Sequence, residues 1–204
     1  MNKLICAGFL GAVLAVSTLA QAQDTAPDAL AKKVTDEVIA ILRTDKDIKA
    51  GNTRKVLDLV EAKVLPHFDF TRMTRLAVGA PWRQASGAQQ QTLTNEFRTL
   101  LVHTYASAFT QYRDQVIEYR PLKMQPGDSE VMVRSLIKQT NGGDPIDVNY
   151  SMEKTDQGWK VYDVTIAGVS LVQNYRSSFS AEIQKSGIDG LISTLAAKNK
   201  TLAK

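Results

Sequence analysis

His67 and Asp69 are the closest approach to an acid–base pair in this sequence. An imidazole titrates near neutrality, and a carboxylate two residues away could orient it. A general base also needs a pocket and a proton partner, and the neighbouring residues supply neither. The same spacing before an apolar run reads more simply as a helix entry in which Asp69 caps the first turn. Asp163 is the second candidate, because it lies inside the most apolar strand-like segment. A carboxylate in a sheet pocket could serve as the base of a small isomerase- or hydrolase-like site. A solvent-facing or edge position would account for it without any chemistry. No nucleophile elbow, phosphate loop, dinucleotide fingerprint or H-E-x-x-H motif is present. The two histidines, His67 and His103, are far apart and Cys6 is the only cysteine, so a zinc site has little to draw on. No catalytic set, metal or cofactor follows from these residues.

The conspicuous supply is apolar and aromatic. Phe97, Leu101, Tyr105 and Phe109 recur at helical spacing, and Val148, Tyr150, Met152, Tyr162, Val164 and Ile166 recur at strand spacing, followed by Leu171 and Tyr175. Facing one another, they would form either an ordinary core or the wall of a cavity. Periodicity does not separate the two.

The elements that would position them read as helices, then strands, then helices. Residues 27–43 place Leu30, Val34, Val38, Ile41 and Leu42 on one helical face, with Pro27 in the first turn. Residues 45–52 read as a polar turn. A second helix carries Val56, Leu57, Val60 and Val64 and stops at Pro66. Asp69 to Gly79 reads as a short capped helix, and the Ser86/Gln89 capping box opens a long one through Phe109. From Gln115 the period changes to two. Four strands follow at residues 116–122, 130–140, 145–154 and 159–166, joined by short turns and therefore antiparallel. Ser170 and Gln173 open a further helix, and Ile188, Leu191, Ile192 and Leu195 mark the last. The predicted architecture is one α+β domain over residues 23–204, a curved antiparallel sheet of about four strands covered by helices on one face.

The first residues predict export. Lys3, the apolar run from Leu4 to Ala15 and the small-x-small pattern Ala20-Gln21-Ala22 read as a signal peptide cleaved after Ala22. The run is too short for a membrane span, and Cys6 precedes most of it instead of following it, against a lipoprotein. The mature chain would hold no cysteine, hence no disulfide. The net charge of +4 is spread among acidic residues without a basic block, which argues against a nucleic-acid partner.

The segment His67-Phe68-Asp69-Phe70 through Met73-Thr74-Arg75-Leu76-Ala77-Val78-Gly79 and Trp82-Arg83 resembles the phospholipid-shuttle family of the Mla (maintenance of lipid asymmetry) system. That family is also known as the toluene-tolerance auxiliary proteins. So do Gln89-Gln90, the run from Glu96 to Leu101, Trp159 to Val164, Gly168 to Val172, and Asn174-Tyr175-Arg176. The resemblance implies a monomeric periplasmic carrier of a Gram-negative bacterium, with a cystatin/NTF2-like fold and a deep apolar pocket. It implies as partners a phospholipid ligand, an inner-membrane ABC transporter with its substrate-binding ring, and an outer-membrane lipoprotein–porin complex. It does not identify the pocket lining. Arg72, Arg75 and Arg83, flanking the family-like segment, and Arg176 are expected to meet partners or anionic headgroups around the pocket mouth, unless they are ordinary solvated arginines.

Overall fold

The computed structural model describes residues 25–110, 114–140 and 142–203. The predicted signal peptide, residues 1–22, lies outside them, as does Asn141 in the glycine-rich turn. Among the described residues the elements are α1 (Pro27–Thr44), α2 (Lys46–Lys49), α3 (Thr53–Lys63), α4 (Phe70–Val78), α5 (Gly87–Thr110), β1 (Val116–Tyr119), β2 (Glu130–Lys138), β3 (Ile146–Thr155), β4 (Gly158–Ile166), β5 (Val169–Ser170) and α6 (Leu171–Leu202). None of the described helices is long and apolar enough to cross a membrane.

Helix boundaries follow the local chemistry. The Asp45 carboxylate accepts from the backbone N–H of Asp47 and Ile48 at 2.8 and 3.0 Å, so the expected polar turn contains one helical turn, α2, that buries Ile48. Asp69 accepts from the Arg72 N–H at 2.8 Å and caps α4. Gly79, at φ +73°, ends it. Ser86 and Gln89 exchange two hydrogen bonds of 2.9 and 3.2 Å, a full capping box at the start of α5. The two predicted C-terminal helices are assigned as one, α6, with a break at Gly187, whose φ of +71° and ψ of −173° lie outside the helical region.

The α+β class holds, with five strands where four were expected. The sheet is an antiparallel meander in the order β1-β2-β3-β4-β5. The added strand has two residues and pairs Thr165 with Ser170 and Ile166 with Val169. Its sequence is too short to carry a period-two signal. β1 ends at Tyr119, before Pro121, which has no N–H for the ladder.

One irregularity in the sheet decides side-chain direction. Ser151 pairs with Asp163, but the next residue, Met152, pairs with Val161. Tyr162 is thus an extra residue without a ladder partner, a β-bulge. A bulge reverses the parity of a strand. Trp159 and Val161 therefore share the apolar face with Val164, and the simple alternation Tyr162–Val164–Ile166 does not hold.

Buried side chains form three clusters. The N-terminal half of α5 (Leu93, Phe97, Leu100) packs with Met73 and Ala77 of α4 and Val172, Phe179, Leu191 and Leu195 of α6. The C-terminal half meets α1 and α3 through Ala106, Val38, Leu42, Val56 and Val60. The inner face of the sheet supplies Val131, Val133, Val148, Met152, Trp159, Val161 and Val164. The first cluster is closely filled. Between the second and third a space remains.

Candidate functional site

That space is a cavity of about 380 Å³, within the usual range for ligand pockets of roughly 300–1,000 Å³. Helix α1 contributes Leu30, Ala31, Val34, Thr35, Val38, Ile39 and Leu42, and α3 contributes Val60. The connection to α4 adds Val64, Leu65, His67 and Phe68, and α4 adds Phe70 and Met73. Leu101, Val102, Tyr105, Ala106, Ala108 and Phe109 of α5 form one side. The sheet adds Ile117, Ile137, Val148, Tyr150, Met152, Val161, Val164 and Ile166, and Leu171 opens α6.

Among the described residues the wall is apolar apart from Thr35, His67, Tyr105 and Tyr150, and none of those that line it is Asp, Glu, Lys or Arg. The polar exceptions are largely neutralised. Tyr119 donates to the Ala31 carbonyl at 3.2 Å, leaving the Thr35 hydroxyl to donate to the Tyr119 oxygen at 2.7 Å. Tyr150 is half-buried at the cavity wall. Burial, reinforced by Tyr119, pushes its phenol well above the ordinary range, so it stays un-ionised. Burial and then the charge of Lys160 push His67 below its ordinary value, keeping the imidazole neutral at pH 7. A dry wall of this kind suits hydrocarbon and offers no charge to stabilise a reacting centre.

Most of the predicted wall residues are here. Leu101, Tyr105, Phe109, Val148, Tyr150, Met152, Val164, Ile166 and Leu171 line the cavity. Phe97, Tyr162 and Tyr175 do not. Phe97 is 0% exposed and meets the rings of Tyr175 and Phe179 edge-on, each with centroids 5.1 Å away. The apolar stripe of α5 thus serves a buried core at one end and the cavity at the other. Tyr162 is displaced by the bulge and lies beneath the Arg72 guanidinium, 3.7 Å from ring centroid to Cζ. The α1 stripe, Phe68, Phe70 and Val161 were not anticipated as wall. Its i, i+4 pattern marked α1 as amphipathic, but periodicity does not say which surface an amphipathic helix covers.

The carboxylates considered for chemistry have structural partners. Asp163 accepts from the Ser170 hydroxyl at 2.5 Å and the Val172 N–H at 3.1 Å, tying β4 to the first turn of α6. It is not among the cavity residues. His67 does reach the wall, but the Asp69 carboxylate is committed to its cap. Among the described residues no group of three or more His, Cys, Asp or Glu is placed to hold a metal ion.

The arginines expected at a pocket mouth are not among the residues lining the cavity. Arg72 is corrected most clearly: its side chain is only 15% exposed and pairs with Glu130 at 2.7 Å and with Glu153. Together with Tyr162, whose hydroxyl donates to Glu130 at 3.0 Å, it joins α4 to the sheet. Arg176 packs against Gly79, where an added Cβ would lie 3.5 Å from its guanidinium. Arg75 and Arg83 are exposed.

The hydrogen bond from Arg72, and then that from Tyr162, hold the Glu130 carboxyl below its ordinary value of 4.5. Because the folded value is lowered, the stabilisation is complete above pH 4.5 and disappears as pH falls through the folded value. Glu130 is largely exposed, so Glu130→Gln is expected to cost no more than about 1 kcal/mol at pH 7. The gap from wild type should narrow as pH falls below 4.5, which urea melts at pH 7 and in acid check.

A helix-covered antiparallel sheet that leaves a hydrocarbon-lined chamber, with its carboxylates engaged elsewhere, defines a binding protein for apolar ligands. A family model described as MlaC protein matches residues 32–197, and the chain belongs to that family. The intermembrane phospholipid transport system binding protein MlaC of Haemophilus influenzae is 25% identical over 174 residues, which span 84% of this chain and 81% of that protein. Toluene tolerance protein ttg2D of Pseudomonas putida is 24% identical over 190 residues, 93% of this chain and 87% of its own. The solved phospholipid-binding protein of Ralstonia solanacearum, in complex with a phospholipid, is 39% identical with a TM-score of 0.81. That alignment covers 89% of this chain and 99% of the other.

Proposed function

We propose that this chain carries phospholipid through water, with the acyl tails in the cavity between α1, α5 and the sheet. The observation that carries the reading is the predominantly apolar wall of that cavity, without a charged residue among the described residues that line it. Hiding one CH₂ is worth roughly 0.8 kcal/mol, so two chains of about 16 carbons would cost on the order of 25 kcal/mol to expose. A chamber meets that requirement where a surface patch would not. The headgroup is at ease in water and needs few fixed partners. Binding and release require no reacting residue, and the chain is a carrier and not an enzyme. Contact with the tails is assigned to Leu101, Tyr105, Phe109, Val148, Tyr150, Met152, Val164, Ile166 and Leu171, joined by the α1 stripe.

The setting we propose is the periplasm of a Gram-negative cell, reached after cleavage following Ala22. Lipid would pass between an outer-membrane lipoprotein–porin complex and an inner-membrane ABC transporter with its substrate-binding ring. Exposed Arg75, Arg83 and Arg176 would assist encounter with such partners. Transfer of fluorescent phosphatidylethanolamine between donor and acceptor vesicles separated by a dialysis membrane tests the carrying step. The protein should speed transfer in proportion to its concentration. Transfer no faster than with an equal mass of albumin stripped of lipid and blocked at its own sites would refute it.

A further inference from the structure

Among the described residues, His67 is the polar group of the chamber wall that has cations beside it. Backbone pairing fixes that neighbourhood. Phe68 bridges to Val161 of β4, and the Asp69 N–H donates to the Val161 carbonyl at 2.9 Å. Lys160, next to Val161, donates through Nζ to the Pro66 carbonyl at 2.6 Å. Its ammonium is thereby held beside His67, and one hydrogen bond leaves its other N–H donors for a ligand. Lys33 on α1 is the second cation facing the imidazole. The Glu37 carboxylate, which opposes them, is paired with Lys63 at 3.3 Å. His67 is half-buried while Pro66 and Lys33 are exposed, so this corner of the wall reaches the protein surface. We propose that it seats the phosphodiester of the bound phospholipid, with Lys160 supplying the main positive charge and His67 an N–H. The inference rests on the carrier reading above and extends it to the headgroup.

With the tails in the chamber, the phosphodiester must lie at an edge of the apolar wall, and an anion settles where the local charge is positive. The other polar points of the wall do not offer this. Thr35 is bonded to Tyr119, which stands beside the Asp36 carboxylate. Tyr150 has Ser135 and Tyr119 as its polar neighbours, and Tyr105 has Tyr175, all of them uncharged. At His67 the cations stand behind the wall and leave its lining free of charge for the tails. Burial, and then Lys160, hold the imidazole below its ordinary value of 6.5. An anion placed between His67 and Lys160 acts in the opposite direction and favours the imidazolium. The bound value should therefore exceed the value without phosphate. By linkage, phospholipid binding should strengthen as pH falls through the bound value and level off below the other. Diacylglycerol, which brings no anion, should show no such dependence.

The test loads delipidated protein from detergent micelles with dipalmitoyl phosphatidylethanolamine or with dipalmitoylglycerol, which has the same tails and no phosphate. The titration of His67 is followed by NMR, with His103 as internal reference. The His67 midpoint should lie higher with the phospholipid, and His103 should titrate alike with both. In competition between the two lipids, read by mass spectrometry of the bound fraction, Lys160→Gln should lower the preference for phospholipid about tenfold. Lys160→Arg should keep most of it. If Lys160→Gln does not fold, the wild-type titration decides. Equal His67 midpoints with the two lipids would overturn the headgroup assignment and leave the carrier reading standing. So would an unchanged preference in folded Lys160→Gln protein that takes up both lipids. Uptake of neither lipid by the wild type would remove the carrier reading and this inference with it. Inorganic phosphate added to diacylglycerol-loaded protein separates the other source of the same chemistry: at millimolar concentration it should leave His67 unmoved. A saturable shift as large as that given by phospholipid would mean a site for free phosphate and overturn the assignment.

Discussion

Val148→Trp is expected to give a folded protein that holds little phospholipid. Val148 is the third residue of β3, paired with Ser135 on one side and Ile166 on the other, and is 8% exposed at the cavity wall. The indole would project into space reserved for tails. In a filled core the added atoms would cost about 1–3 kcal/mol through strain. Here the side chain enters a void and gains contacts, so the melting temperature should stay close to wild type or rise in the lipid-free state. Lipid per folded molecule, measured by extraction and phosphorus assay, should fall by most of its wild-type value. A sharp loss of stability with unchanged lipid content would show that the cavity is elsewhere.

Phe97→Ala is expected to do the reverse. Phe97 is 0% exposed at the centre of the α4–α5–α6 cluster, with Tyr175 and Phe179 packed edge-on against its ring. Removing a buried phenyl costs about 3–5 kcal/mol, a large part of the stability of a chain this size. The cavity wall begins four residues further along the same helix, at Leu101. Lipid per folded molecule should therefore be retained in whatever fraction folds, with the loss visible in chemical denaturation. Loss of lipid from protein of wild-type stability would return Phe97 to the wall.

The contrast between these two residues marks what can be read in the sequence. Helix starts were legible because caps are local: Asp69, Ser86 and Ser170 each accept from the backbone N–H three residues further on. The strands were legible because one face is apolar. The side of the sheet on which a residue falls was legible only as far as the bulge. Nothing in the order Val161-Tyr162-Asp163 announces that Tyr162 has no ladder partner, since a bulge depends on the register of the neighbouring strand. The division of α5 into a packed half and a cavity half was likewise hidden, because Phe97 and Leu101 occupy the same stripe. Leu93, Phe97, Leu101 and Tyr105 repeat every four residues, and what each meets depends on α6, about eighty positions later.

Arg72 teaches the same lesson for charge. As a sequence feature it stood with Arg75 and Arg83 around a family-like segment. In three dimensions it is paired with Glu130 and Glu153 from two adjacent strands and covers the Tyr162 ring. Burial and long-range pairing converted a docking candidate into a tie between α4 and the sheet. The void itself was the least legible feature. An apolar stripe has the same composition whether its partner fills the gap or stands back from it, and only the positions of α1 and α5 over the sheet show that here they stand back.

The most direct measurement is the lipid content of protein taken from the cell envelope without detergent, by native mass spectrometry followed by extraction and identification. Glycerophospholipid should accompany most folded molecules, survive buffer exchange, and be displaced in Val148→Trp. Protein that emerges lipid-free, and that takes up no phospholipid from vesicles afterwards, would contradict the assignment of the cavity as a container for acyl tails.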